Sequence, residues 1–141
     1  MTAEDKELLI RDICARLPYG LKAKYYDPEA ERTTWDEIND IYNSTSYNHT
    51  EVGIGQYGLN VVEVKPYLFP MSSMTDEQKE EYHYIVNYIS PDDTENWTEG
   101  EFVYVNQIEQ LLHFYHTNHL DYRGLIEKSL ALDATNLGIY E

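Results

Sequence analysis

The sequence is poor in cysteine, in long apolar runs and in basic residues. Its 141 residues include one cysteine, Cys14, so no disulfide can form within the chain. No run approaches the roughly 20 apolar residues of a membrane-spanning helix. The opening residues, MTAEDKELLI, lack the basic region and apolar core of a secretory signal. We therefore expect a cytoplasmic protein.

The shortage of basic residues gives the chain a strong negative charge. Ten Lys and Arg oppose 26 Asp and Glu, for a formal net charge of −16. Residues 1–66 carry 7 basic and 12 acidic residues, whereas residues 67–141 carry 3 and 14. Phosphate backbones and anionic membranes would be repelled, so we expect no direct nucleic-acid binding and no membrane partner. The negative charge favours a protein partner with a basic surface, or it serves only to keep the protein soluble.

The motifs of common enzymes are also missing. There is no Gly-x-Ser-x-Gly elbow and no phosphate loop ending in Gly-Lys-Ser/Thr. GIGQYG, with Gly53, Gly55 and Gly58, has dinucleotide-binding spacing, but the LNVVEV that follows it reads as a strand rather than the required helix. We favour a non-enzymatic protein without a cofactor.

What is present is a globular composition, with 42% hydrophobic residues and 14 tyrosines. Thr2, with Asp5 three residues later, begins a helix. Its apolar residues at positions i, i+3, i+4 and i+7 predict that Cys14 is buried. These residues are Ile10, Ile13, Cys14 and Leu17. Pro18 and Gly20 end the helix.

Residues 21–64 are typical of a small antiparallel sheet. LKAKYY alternates as a half-buried strand does. TTWDEINDIYN fits either a strand or a helix, and its β-branched and aromatic residues favour the strand. EVGIGQYG and LNVVEV predict two short strands broken by glycines. The expected fold class is α+β, with a meander that is open or barrel-like and a helical C-terminal half.

Residues 67–141 are expected to pack on residues 1–66 in one compact unit. Pro66 and Pro70 in KPYLFP predict an extended linker that does not join the sheet. Thr75 and Gln78 predict a capping box. Residues 90–101 are interpreted as a solvated acidic loop. A further helix is predicted over residues 104–118, with four residues facing inward: Ile108, Leu111, Leu112 and Tyr115.

LLHFYHTNHLD contains the strongest candidate for a chemical motif. His113, His116 and His119 recur every third residue. In a helix, with about 100° per residue, the three would span about 120° and two turns, too splayed for one tetrahedral ion unless the helix ends at Asn118. Asp121 is either a fourth ligand or the N-cap of a short final helix. We interpret the histidines as residues with a structural or surface role on a polar side of the helix. The alternative is a metal site.

Two segments resemble a known group of proteins. VKPYLFPMSSMTDEQKEEY and NHLDYRGLIEKSLALDA are similar to recurrent blocks, KPYLxP(L/M)SSMT and NH(F/L)DYRGLI, of small uncharacterised proteins from phages and mobile elements of gut anaerobes. The resemblance implies a bacterial host cytosol as the setting, and it implies no activity. Ser129 stands where the resemblance leads us to expect glycine.

The second block contains the candidate interaction residues Asp121, Tyr122 and Arg123. Arg123 either pairs with Asp121 or an acid of the preceding helix, with Tyr122 packed beside it, or forms with Tyr122 an exposed interface. Three functional hypotheses follow. The first is an accessory protein that binds, and by binding inhibits, a host protein. The second is a small-molecule or nucleotide-binding protein. The third is a metal-dependent hydrolase that uses the histidine cluster.

Overall fold

A computed structural model describes residues 1–45, 48–88 and 97–141, and for residues 97–106 it describes the backbone only. The described helices are α1 (Ala3–Arg16), α2 (Asp76–Tyr88) and α3 (Trp97–Thr117). The described strands are β1 (Lys22–Asp27), β2 (Arg32–Ser44), β3 (His49–Ile54), β4 (Tyr57–Asn60), β5 (Lys65–Pro70), β6 (Leu120–Asp121) and β7 (Leu132–Asp133). The predicted α+β class is confirmed.

The strands form one open, mostly antiparallel sheet in the order β4-β3-β2-β1-β5-β6, with β7 also paired to β5. Strands β1 to β4 form an antiparallel meander as predicted, and TTWDEINDIYN lies in β2, which is the interpretation favoured above. The predicted strand LNVVEV is wrong beyond Asn60, because β4 ends there and Val61–Glu63 form a short 3-10 helix. Strands β6 and β7 run parallel to β5 along its other edge. The sheet does not close, so the barrel-like alternative is not what forms.

Helix α1 begins as predicted but turns a different side to the core. The side chain of Thr2 accepts a hydrogen bond from the Asp5 N–H, and the Asp5 carboxylate accepts one from the Thr2 N–H. The prediction that Cys14 is buried is wrong, because its side chain is exposed. The buried residues are Leu9, Asp12, Ile13 and Arg16. Two of them are charged, which is why apolar spacing alone misplaced the face.

The largest apolar cluster lies between α1 and one face of the sheet, which we call the inner face. Its fully or almost fully buried members include Leu9, Ile13, Leu21, Ala23, Tyr25, Ile38, Val52, Ile54 and Leu68. Because successive side chains of a strand point to opposite faces, the residues between these core positions point to the outer face. In β2 the pairing with β3 shifts register between Ile38 and Asp40. One extra residue of β2 therefore interrupts the alternation of side chains between the two faces.

Strand β5 contradicts the predicted linker. The segment Lys65–Pro70 pairs with β1 on one side and with β6 and β7 on the other. Pro66 and Pro70 lie at or next to the ends of the strand, where a missing N–H interrupts the ladder least. Between the two prolines, Tyr67 and Leu68 are buried and Phe69 is half-buried.

Helices α2 and α3 pack against each other. The predicted capping box is present, because Thr75 N–H donates to Gln78 and Gln78 N–H donates to Thr75. Helix α3 begins at Trp97, so the last five residues of the predicted acidic loop are helical, and residues 90–96 lie outside the described residues. None of the described helices is long and apolar enough to cross a membrane.

The inward face of α3 differs from the predicted one. Ile108 and Leu112 are exposed, whereas Phe114 and His116 are buried. Leu111 is half-buried, as is Tyr115. The described residues after α3 contain turns and two short strands, so the predicted final helix is not formed.

Candidate functional site

A buried ionic cluster joins α1 to the segment that follows α3. Asp12 and Arg16 are fully buried, and the Arg16 Nε donates to Asp12 Oδ2 at 2.8 Å. The Arg16 Nη2 donates to the Leu120 carbonyl at 2.6 Å. The Arg123 Nε lies 3.2 Å from Asp12 Oδ1. One carboxylate thus lies between two guanidinium groups. Burial raises the pKa of Asp12, and the charge of Arg16 opposes that rise.

Tyr122 packs beside this cluster. Its ring stacks on the Tyr115 ring at a centroid distance of 4.7 Å, and the Arg16 guanidinium lies 5.3 Å from its centroid. Its hydroxyl shares a 2.8 Å hydrogen bond with His116 Nε2. The predicted packing of Tyr122 is therefore observed. The acid that pairs with Arg123 lies on α1, which neither sequence alternative contained.

Asp121 caps a turn of the backbone. Its two carboxylate oxygens accept hydrogen bonds from the N–H groups of Leu125 and Ile126 at 2.8 and 2.9 Å. The capping role is as predicted, although a turn takes the place of the helix. The described contacts of Asp121, Tyr122 and Arg123 lie within the chain, and their role in an interface stays a prediction.

The three histidines have separate partners. His113 Nδ1 shares a 3.0 Å hydrogen bond with the Tyr19 hydroxyl, and His116 bonds Tyr122. The His119 ring stacks on the Tyr140 ring at 3.6 Å. Among the described residues no three or more side chains of His, Cys, Asp or Glu assemble as a metal site. The alternative ligand set of His113, His116, His119 and Asp121 is therefore not brought together.

Two of these histidines have lowered pKa values. Burial lowers the pKa of His116 to about 4, with a contribution from the positive charges of Arg16 and Arg123. Burial also lowers the pKa of His119 to about 4, helped by Arg16 and Lys22. Both imidazoles are neutral at pH 7. His116 serves as a hydrogen-bonding group, and His119 serves as a packing group.

A polar concavity of about 300 Å³ adjoins His119. Its lining consists of Phe69, Gln78, Thr117, Asn118, His119, Ala134, Asn136, Gly138, Ile139, Tyr140 and Glu141. These side chains include amides and aromatic rings, but no Lys or Arg, and they include the carboxylate of Glu141. Because the lining has a carboxylate and no cationic side chain, it disfavours phosphorylated ligands.

A second concavity, of about 340 Å³, lies between α2 and α3, and we call it the acidic groove. Its lining consists of Glu81, Tyr84, Ile85, Glu109, Gln110, His113 and Phe114. Glu81 belongs to α2 and Glu109 to α3, so each helix contributes a carboxylate. Ile85 and Phe114 are buried and supply apolar surface between the helices.

Both helices carry exposed apolar side chains, and of these Tyr84 lines the acidic groove. Tyr84 of α2 is 56% exposed, and Ile108 of α3 is 42% exposed. Leu112, one helical turn after Ile108, is also exposed. Sequence reasoning had assigned Ile108 and Leu112 to the core. The sequence of α3 does indicate that some apolar residues are exposed, because they occupy more than one side of the helix and cannot all face the core.

Comparisons with known proteins find no match among protein-family models, curated proteins or solved structures. The resemblance to phage and mobile-element proteins stays a prediction.

Proposed function

We propose that this chain is a non-enzymatic accessory protein that binds a basic host protein through the acidic groove. The observation that carries the proposal is the combination of two features in one place. Tyr84 supplies exposed apolar lining beside the buried Ile85 and Phe114. Glu81 of α2 and Glu109 of α3 belong to the same lining. Such a groove suits an amphipathic helix that carries Lys or Arg beside its apolar side chains.

The charge of the surrounding surface favours the same partner. Four carboxylates lie exposed on the first half of α2, on Asp76, Glu77, Glu80 and Glu81. Lys79 is the basic residue of that helix. A field of one sign accelerates the encounter with an oppositely charged protein and disfavours acidic competitors.

The biological role follows from the resemblance and from the charge together. A phage or mobile-element protein with this surface would hold a basic segment of a host factor in the acidic groove, with its carboxylates where phosphate groups would otherwise contact that segment. Binding in that position would inhibit the host factor. The setting would be the bacterial host cytosol.

The first test is capture of host proteins by the immobilised chain at low and high salt. We expect one or a few basic proteins to be retained in about 0.05 M salt and released as salt rises, because screening weakens exposed charge pairs. The variant Glu81→Gln/Glu109→Gln should retain them at least tenfold less well. The matched control is Glu63→Gln/Glu127→Gln, which removes two exposed carboxylates outside the groove.

Two results would count against the proposal. One is that nothing is retained at low salt. The other is that the groove variant and the control variant lose the same amount of binding, which would show that net charge alone attracts the retained proteins.

A further inference from the structure

The outer face of the sheet carries a group of basic residues around an exposed tryptophan. Lys24 of β1 lies directly opposite Trp35 of β2 on one side and opposite Lys65 of β5 on the other. Directly opposed residues of antiparallel strands point to the same face. Lys22 is two residues before Lys24 and therefore shares that face. We call Lys22, Lys24, Trp35 and Lys65 the basic row.

Burial confirms which face the basic row occupies. Ala23 and Pro66, the neighbouring opposed pair, are buried on the inner face. Lys24 and Lys65 are exposed, and Trp35 is 43% exposed. Tyr26, two residues after Lys24, adds a second ring to this face and is 55% exposed.

The arrangement of charges in the basic row is unfavourable for the chain by itself. Like charges directly opposite each other destabilise a sheet. The chain has 26 carboxylates, yet among the described residues neither Lys24 nor Lys65 has an ion-pair partner. The acid directly opposite a member of the basic row is Glu37, which faces Lys22.

The side chain of Lys22 packs against the ring of Trp35. Its ammonium group lies 5.1 Å from the Trp35 ring centroid and donates a 2.8 Å hydrogen bond to the Ile139 carbonyl. It also lies 5.6 Å from the Tyr140 ring centroid. The ring of Trp35 is thus held from one side by a cation, while Lys24 and Lys65 stay available.

We propose that the basic row binds a nucleotide, with the base stacked on Trp35 and the phosphate between Lys24 and Lys65. Neighbouring strands lie about 4.8 Å apart, so two flexible ammonium groups on adjacent strands can reach one phosphate. Stacking on an aromatic side chain strengthens binding whichever base is present, because every base has a π-face. This site is separate from the acidic groove and does not rest on the proposed function.

The source of the nucleotide follows from the charge of the whole molecule. A single nucleotide carries few charges and interacts with the local cations of the basic row. A longer strand would place further phosphates near a chain of net charge −16. We therefore expect a free nucleotide rather than a nucleic-acid strand to be the ligand.

The test uses Trp35 as its own reporter. The chain has two tryptophans, so a Trp97→Phe background leaves Trp35 as the remaining one. Titration with ATP should quench its fluorescence saturably, whereas inorganic triphosphate, which lacks a base, should bind at least tenfold more weakly. An eight-nucleotide single strand forms the third arm and should bind no more tightly than ATP.

Variants decide whether the basic row is responsible. Lys24→Gln/Lys65→Gln should weaken ATP binding at least tenfold, and the matched control Lys79→Gln/Lys128→Gln, also exposed lysines, should change it less than twofold. Circular dichroism confirms that each variant folds. Tight binding of the strand alone, lost in the first variant, would support the site with a strand as the source. Binding by no probe, or equal losses in both variants, would overturn the proposal.

Discussion

At the scale of single residues, Asp12 is the buried carboxylate that balances the positive charge of neighbouring arginines. It lies between Arg16 and Arg123, and both Asp12 and Arg16 are fully buried. Removing one member of a buried ion pair costs about 3–5 kcal/mol, because the other charge is left without compensation. We expect Asp12→Asn to lower the free energy of unfolding by that amount in urea denaturation.

A second variant separates the ion pair from the packing around it. Asp12→Leu/Arg16→Met removes both charges while keeping apolar volume, and it should be more stable than Asp12→Asn. If Asp12→Asn costs less than about 1 kcal/mol, or if the double variant is the less stable one, the buried carboxylate is not what balances Arg16.

His116 and His119 should make stability depend on pH. The pKa values of both histidines in the folded chain are about 4, whereas a histidine in the unfolded chain has its ordinary pKa of about 6.5. Between these values the unfolded chain binds more protons, so the free energy of unfolding falls as pH falls from 6.5 toward 4. Each histidine adds a slope of at most about 1.4 kcal/mol per pH unit.

Urea denaturation at pH 7.0, 5.5 and 4.5 measures this slope. His116→Gln and His119→Gln should each make it shallower, because glutamine does not titrate. His83→Gln is the control, since His83 is exposed on α2 and should leave the slope unchanged. If the free energy of unfolding changes with pH equally in all three variants, carboxylates rather than His116 and His119 cause the loss of stability at low pH.

Ser129 occupies a backbone conformation that suits glycine. Its φ is 61°, in the left-handed region that costs an L-residue roughly 1–2 kcal/mol. The resemblance to phage proteins had led us to expect glycine here, and the geometry supplies a reason. We expect Ser129→Gly to raise the free energy of unfolding by about 0.5–1 kcal/mol. Ser72→Gly, where φ is not positive, should lower it.

At the scale of elements, the hydroxyl of Tyr140 connects the C-terminal segment to the sheet. It donates a 2.7 Å hydrogen bond to the Tyr67 carbonyl and accepts a 3.0 Å bond from the Lys22 N–H. Tyr140→Phe leaves both backbone groups without this partner and should cost about 1–3 kcal/mol. Hydrogen exchange at the Lys22 amide should become faster.

Tyr26→Phe is the control for that measurement, because the Tyr26 side chain is exposed. It should change stability by less than about 0.5 kcal/mol, as is usual for surface substitutions. A Tyr140→Phe chain as stable as this control would show that the C-terminal segment is held by apolar contacts alone.

The elements differ in how well local sequence predicted them. The capping boxes at Thr2 and Thr75 follow from neighbouring residues, and both are confirmed. Strand β2 was recognised from β-branched and aromatic residues. Strand β5 was not, because its partners β1, β6 and β7 come from distant parts of the chain and override the expectation raised by its prolines.

At the scale of the whole molecule, the net charge of −16 should act against folding. Carboxylates brought together in a folded chain repel each other more than in an expanded one. Raising salt from 0.01 to 0.15 M shortens the Debye length from about 30 Å to about 8 Å and screens this repulsion. We expect the urea midpoint at pH 7 to rise with salt. A falling midpoint would show that attractive ion pairs outweigh the repulsion.

The sequence by itself determined the fold class, the presence of a meander after α1, the starts of α1 and α2, and the acidic character. These properties depend on neighbouring residues or on sums over the chain. Tertiary structure decided that Asp12 and Arg16 are buried together, that Arg123 pairs across to α1, and that the three histidines have separate partners. It also placed Lys24 opposite Lys65 and two glutamates in one groove. Such pairings join residues far apart in the chain, and no local pattern records them.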